Sequence, residues 1–182
     1  MIDLETLGTQ PGSIILSIGA VIFDPTLPPD NCITDEFSCV IDLQSCIEAN
    51  LTASASTIKW WSTQSLEARK VLIKASDAES KTNLTLTNAL IALANFMPSD
   101  AIVWSNGANF DQPLLDVAYN HVDKQVPWKY YNSRCYRTFT ALCEQKKALA
   151  PPVILAHDAL EDAKWQTHHM MIIAKHMGLT IR

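Results

Sequence analysis

The sequence lacks any long hydrophobic run, and no signal peptide is visible in it. No apolar segment approaches the roughly 18 residues that a membrane-spanning helix needs. The N-terminal residues MIDLE contain no basic side chain ahead of an apolar stretch, as a signal peptide would. We therefore expect a protein that is not exported and has no membrane partner.

The sequence also lacks an excess of positive charge. It has 14 Lys and Arg against 19 Asp and Glu in 182 residues, which gives a net charge of −5. This balance excludes a protein that coats nucleic acid through a broad basic face. It remains compatible with an enzyme whose acidic residues hold metal ions.

Paired cysteines are absent as well. The chain has five cysteines, an odd number, and none of them lies in a C-x-x-C pair. Cys32, Cys39 and Cys46 are seven residues apart, which is too far for a zinc knuckle. We interpret them as reduced, mostly buried thiols and expect a cytoplasmic protein, in the bacterial host cytoplasm if the gene is phage-borne.

The length of 182 residues predicts one domain over 1–182. Because 48% of the residues are hydrophobic, this α/β domain has enough apolar side chains for a core. The β-branched run IILSIGAVIF at 14–23 predicts a buried strand, followed by an antiparallel strand at 36–43 and a short strand at 101–104. Apolar spacing predicts helices at 62–75, 85–97, 113–121, 136–147 and 159–176, with connections at 44–57 and 122–135. This order indicates a mixed sheet flanked by helices.

Asp3 and Glu5 form the first acidic segment. Residues i and i+2 of a strand project from the same face, so the two carboxylates lie side by side. They repel each other unless a cation lies between them. Only Met1 and Ile2 precede Asp3, so either the first strand is very short or the start of the given sequence has trimmed it. A frayed terminus with two solvated acids is the alternative.

The second acidic segment, NGANFD at 106–111, follows the short strand and precedes a helix with Pro113 in its first turn. Strand ends that lead into helices are where α/β proteins place ligand-binding groups. Asp111 is therefore a candidate ligand. Alternatively it caps the helix, and one residue can do both.

The third segment is HDALED at 157–162. Asp158 and Glu161 have the spacing of a capping box at the start of a helix. His157 then lies on the preceding loop and Asp162 at the end of the first turn, so both side chains can face one point. A solvated acidic helix start is the alternative.

Taken in order, D-x-E, N-x-x-F-D and H-x-x-x-x-D resemble the three motifs of the DEDDh 3′–5′ exonucleases. The segment STIKWWSTQSLEAR at 56–69 is similar to one in their phage and prophage branch, which includes exonuclease A of the T-even phages. The resemblance spans about 3–177. It implies an RNase H-like fold with a mixed sheet of about five strands.

The resemblance also implies the chemistry. Asp3, Glu5, Asp111 and Asp162 would hold two divalent ions, and His157 would be the general base. Two such ions can bind both the attacking and the leaving oxygen of a phosphodiester. An all-oxygen ligand set suits Mg²⁺ or Mn²⁺ better than zinc. The expected products are nucleoside 5′-monophosphates released from a single-stranded or 3′-tailed end.

Substrate contacts are predicted at Leu7, Gly8, Trp61, Asn106, Asn109 and Phe110. Leu7 can equally be a core or turn residue, and Asn106 and Asn109 can position the phosphate or close the turn. Trp60 and Trp61 lie about 100° apart on a helix, so one of them is expected in the core while the other is free to stack on a base.

The phage-branch resemblance favours DNA over RNA as the substrate, and relatives are often homodimers. The alternatives are an exoribonuclease on the same fold, a catalytically weak module that binds nucleic-acid ends, and a phosphohydrolase of small substrates.

Overall fold

The computed structural model describes residues 1–107, 109–153 and 157–181. Its strands are β1 (Ile2–Thr6), β2 (Ile15–Phe23), β3 (Ile33–Val40), β4 (Val103–Ser105) and β5 (Ser133–Cys135). In the described residues they form one sheet in the order β3-β2-β1-β4-β5. β2 pairs antiparallel with β1 and β3, whereas β4 pairs parallel with β1 and β5.

Seven α-helices flank this sheet within the described ranges. They are α1 (Leu43–Glu48), α2 (Ala55–Ser62), α3 (Leu66–Ala75), α4 (Leu86–Phe96), α5 (Asp111–His121), α6 (Tyr136–Ala141) and α7 (Ala159–Met177). None of these helices is both long and apolar enough to cross a membrane. The predicted α/β class, with an RNase H-like mixed sheet of five strands flanked by helices, is confirmed.

Several predicted boundaries are wrong. The stretch 44–57 is not a connection, because it contains most of α1 and the start of α2, and 122–135 contains β5. The helix predicted over 62–75 is interrupted, because the Ser65 side chain accepts a hydrogen bond from the Ala68 N–H at 3.2 Å and begins α3 anew. The helix predicted over 136–147 ends at Ala141.

The longest helix, α7, packs across β1, β2 and β3. Gly19 in β2 permits this close approach, since a Cβ atom there would lie 2.1 Å from the backbone carbonyl carbon of Ala159. At its other end, α7 stops at Gly178, which has the left-handed φ of 65°. The glycine therefore fixes the first turn of α7 directly against the sheet.

Side-chain alternation along β1 separates the core from the polar side. Ile2 and Leu4 belong to a hydrophobic core that also contains Leu90 and Leu115. Asp3 and Glu5 project from the opposite face, toward α7. The strand thus supplies apolar packing on one side and two carboxylates on the other.

Candidate active site

β1 places Asp3 and Glu5 beside each other at the sheet surface covered by α7. Within the antiparallel pair, Asp3 lies opposite Gly19 and Glu5 lies opposite Ser17. Glu5 is 6% exposed, and Asp3 is partly buried. The alternative of a frayed terminus with solvated acids is therefore wrong.

The start of α7 supplies the next two groups. The Asp158 side chain caps the helix by accepting hydrogen bonds from the Leu160 and Glu161 N–H groups at 3.1 and 3.2 Å. His157, with a left-handed φ of 63°, donates its backbone N–H to Asp162 Oδ2 at 3.1 Å. As the capping-box spacing predicted, capping occupies Asp158 and leaves Asp162 and the His157 imidazole for the site.

Asp111 is the first residue of α5 and is 1% exposed. The residue at the cap position is Phe110, and no side-chain cap bond forms there, so the capping alternative for Asp111 is wrong. Neither of its carboxylate oxygens has a hydrogen-bond partner of good geometry among the described residues, while the nearby backbone N–H groups of Leu4 and Asn106 and the charge of Arg137 hold its pKa below what burial alone would give. A fully buried carboxylate in this state requires either a proton or a cation.

Asp3, Glu5, His157 and Asp162 line one cavity, and Asp111 lies beside them without lining it. Ligand atoms of Glu5, His157 and Asp162 lie within 4.8 Å of one another. Asp3 is electrostatically close to Asp111, Glu5 and Asp162. A cavity of about 550 Å³ opens above them, lined by Asp3, Glu5, His157, Asp162 and Asn106, and by Phe110, Trp60, Trp61, Trp165 and Gln166, among others.

Burial raises the pKa values of all four carboxyl groups, and repulsion from neighbouring carboxylates adds to it for Asp3, Glu5 and Asp162. Burial is the largest cause in each case. It raises the pKa of Glu5 to about 8, with repulsion from Asp162 adding to the effect, and that of Asp111 to about 7. The pKa of Asp3 is also raised well above its usual value. Without cations, these carboxyl groups therefore stay protonated up to a higher pH than usual, which reduces the repulsion between them.

The two adjacent tryptophans occupy different environments. Trp61 is 1% exposed, and its indole N–H donates to the Thr6 carbonyl at 2.9 Å. Trp60 is 42% exposed, and its ring lies 4.9 Å from the His157 ring at an interplanar angle of 86°. Trp60 is therefore the member of the pair with a free surface, because the hydrogen bond to β1 holds Trp61 in the core. Both tryptophans line the cavity, so Trp61 as a substrate contact stays a prediction.

The other predicted contacts are divided between the cavity and its surroundings. Asn106 and Phe110 line the cavity. Leu7 is 8% exposed and packs in the core, as expected from the alternative that it is a core residue. Gly8 is buried, with its carbonyl accepting from the Thr6 hydroxyl at 2.7 Å, whereas Asn109 is exposed. Neither Gly8 nor Asn109 is among the lining residues.

Several lining residues were not predicted from the sequence: Thr6, Thr9, Ser56, Thr57, Trp165 and Gln166. Gln166 donates its Nε2–H to Asp3 Oδ1 at 2.7 Å. One sequence signal was available, because Gln166 lies four residues after Asp162 and hence on the same face of the helix. The others depend on how α2 and β1 pack, which spacing does not reveal.

Comparison with known proteins agrees with this geometry. Residues 1–174 match the family described as the Rv2179c-like 3′–5′ exoribonuclease domain. The chain belongs to this family. It is also similar to the exodeoxyribonuclease of Enterobacteria phage T4, with 27% identity over 188 residues that cover 89% of this chain and 82% of the relative. The predicted phage-like 3′–5′ exonuclease is confirmed, and the DEDD type of the family implies dependence on divalent metal ions.

Proposed function

We propose that residues 1–182 form a single exonuclease domain that removes nucleoside 5′-monophosphates from the 3′ end of single-stranded or 3′-tailed nucleic acid, with DNA as the preferred polymer. The observation that carries this proposal is that three carboxylates and one imidazole line one cavity, with the fully buried Asp111 close enough to repel Asp3 and Glu5. The five cysteines, an odd number with no C-x-x-C pair, support a reducing cytoplasm as its compartment.

The acidic residues at and beside the cavity fit two divalent cations. Asp3, Glu5, Asp111 and Asp162 offer carboxylate oxygens, the ligands that Mg²⁺ and Mn²⁺ prefer. Their four negative charges balance two divalent ions, so a substrate phosphate is not repelled. When bound, the cations would polarise the phosphodiester and stabilise the charge that develops on the leaving oxygen.

His157 is the candidate general base. Its imidazole borders the same cavity, and the perpendicular Trp60 ring limits its orientation. A neutral imidazole accepts a proton from the attacking water while the water oxygen bonds to phosphorus. The bond from phosphorus to the 3′ oxygen of the penultimate nucleotide then breaks, and that oxygen takes up a proton from solvent. The released nucleotide keeps its 5′-phosphate.

Both polymers have support from the comparisons. The phage relative is named an exodeoxyribonuclease, whereas the family is described as exoribonucleases. We place DNA first because the phage relative aligns over most of both chains. An exoribonuclease on the same fold is the second candidate, and the family description favours it.

One incubation tests the proposal. DNA and RNA oligonucleotides, each labelled at the 5′ end, are incubated with the protein in Mg²⁺, Mn²⁺ or EDTA, and the products are resolved by size. We expect a ladder that shortens by single nucleotides from the 3′ end, appears earlier with DNA and is absent in EDTA. Intact oligonucleotides in every lane would instead indicate an end-binding module, and cleavage of small phosphates alone would indicate a phosphohydrolase.

A matched pair of variants on α5 links the activity to the site. Asp111→Asn keeps the shape of the side chain but removes a candidate cation ligand, so we expect at least a hundredfold loss of rate (about 2.7 kcal/mol). Asp116→Asn makes the same chemical change at an exposed position of the same helix and should leave the rate near that of the wild type. Equal rates for the two variants would remove Asp111 from the proposed site.

A further inference from the structure

Gln166 is a buried polar side chain in the wall of the candidate cavity. It is 3% exposed and lies on α7 one turn beyond Asp162. Its Nε2–H donates to Asp3 Oδ1 at 2.7 Å, which links the helix that carries Asp162 to the strand that carries Asp3 and Glu5. The two acidic segments therefore share a direct side-chain contact.

The same amide has an oxygen without a partner. Gln166 Oε1 is buried and accepts no hydrogen bond from the described residues. Rotating the amide by 180° would not give the oxygen a hydrogen-bond donor. The amide oxygen would then face the Asp3 carboxylate, and two acceptors repel each other. A buried amide oxygen left unpaired costs free energy, so whatever fills the cavity gains by supplying an O–H donor.

A hydrated divalent cation supplies such donors, because Mg²⁺ keeps several of its water molecules when it binds to carboxylates. From this geometry we propose that Gln166 is a positioning residue of the cation site. Its N–H holds the Asp3 carboxylate through Oδ1, and its unpartnered Oε1 would accept a hydrogen bond from water bound to the cation. The inference rests on the proposed metal-dependent function and extends it to a residue outside the DEDDh motifs.

The alternative is that Gln166 only fills space between α7 and the sheet. Replacing it with methionine distinguishes the two roles, because Met is similar in length and unbranched but lacks both the donor and the acceptor. The neighbouring Thr167→Val is the matched control. Thr167 is fully buried on the same helix, and its hydroxyl donates to the Ala163 carbonyl at 2.8 Å, within α7.

Binding of Mn²⁺ alone is measured by isothermal titration calorimetry, and thermal unfolding is followed in EDTA. We expect Gln166→Met to weaken Mn²⁺ binding 10- to 100-fold, the usual effect of losing a partner that orients a metal ligand. Its Tm in EDTA should fall no further than that of Thr167→Val, which should bind Mn²⁺ as the wild type does. Raising the Mn²⁺ concentration should restore most of the kcat of Gln166→Met.

Wild-type affinity in Gln166→Met would overturn the inference and leave Gln166 as a packing residue. If Gln166→Met does not fold, Gln166→Asn provides the same comparison, because its amide is one methylene too short to reach Asp3. Failure of the proposed function is distinguishable, since the wild-type protein itself would then bind no Mn²⁺ or leave oligonucleotides intact.

Discussion

At the scale of single residues, the site depends on how Trp60 and His157 contact each other. The Trp60 ring packs against the candidate base and keeps 42% of its surface exposed at the cavity. One side chain can therefore orient the imidazole and also offer a face to a nucleobase. Stacking of a base on an aromatic ring contributes about 1–3 kcal/mol.

We predict that Trp60→Ala raises the KM for a short oligonucleotide about tenfold, from the lost stacking, and also lowers kcat. Trp60→Phe keeps an aromatic face and should retain most of both parameters. Ile58→Ala is the control, because Ile58 is an exposed apolar residue of the same helix (52%) that is not among the cavity-lining residues. Steady-state kinetics of the three variants provide the test. Wild-type KM and kcat in Trp60→Ala would contradict the prediction.

The sequence predicted the acidic residues better than their neighbours, for a physical reason. Strand alternation places Asp3 and Glu5 on one face, and helix capping frees Asp162, so short spacings are sufficient. The choice between Trp60 and Trp61 needed tertiary structure, because the hydrogen bond from the Trp61 indole reaches the Thr6 carbonyl, 55 residues earlier. For the same reason, Leu7 could not be assigned to the core from sequence alone.

At the scale of secondary-structure elements, the contact between β2 and α7 aligns the site. Gly19 lies opposite Asp3 in the sheet and directly beneath the backbone of Ala159 and Leu160. Nothing in the run IILSIGAVIF marks this glycine as different from any other glycine in a buried strand. The long apolar strand and the long helix were therefore predictable, but their close approach was not.

Short elements were also missed. α1 has six residues and β5 has three, which is too few for a hydrophobic period to be recognised. A capping signal for α1 was present, since the Asp42 side chain accepts from the Ser45 N–H at 2.9 Å, but Asp also occurs in ordinary turns.

We predict that Gly19→Ala destabilises the fold by about 3 kcal/mol, because the added methyl group overlaps backbone atoms that cannot rotate away. The start of α7 should shift, so Mn²⁺ affinity should fall together with stability. Gly178→Ala is the control at the opposite end of α7, where no atom lies within 4 Å of the added methyl group. Its left-handed φ makes alanine cost about 1 kcal/mol, yet cation binding should stay unchanged in a denaturant titration paired with calorimetry.

At the scale of the whole molecule, the acidic site opposes folding until cations bind. The net charge is −5, and four of the carboxylates are gathered in one place. Buried like charges reduce the stability of the metal-free protein at neutral pH. The free energy of unfolding of the metal-free protein therefore measures how much the clustered carboxylates destabilise the fold.

We predict that Asp111→Asn stabilises the metal-free protein relative to the wild type as pH rises from about 4 to 7. The pKa of Asp111 is about 7 in the folded state and near 4 in the unfolded chain. The folded wild type thus binds more protons than its unfolded chain between these values, so its unfolding free energy falls with rising pH. The Met1 amine and His169, whose pKa values burial lowers, are the same in both proteins and cancel in the comparison.

The expected difference in EDTA is near zero at pH 4 and reaches about 4 kcal/mol in favour of the variant at pH 8, measured by urea unfolding. Adding Mn²⁺ at pH 8 should reverse the order, because the wild-type carboxylate then has its counter-ion and the variant lacks a ligand. A difference in unfolding free energy that stays constant from pH 4 to pH 8 would show that Asp111 is not the strained carboxylate described above. Its buried oxygens would then not account for the cation requirement of the site.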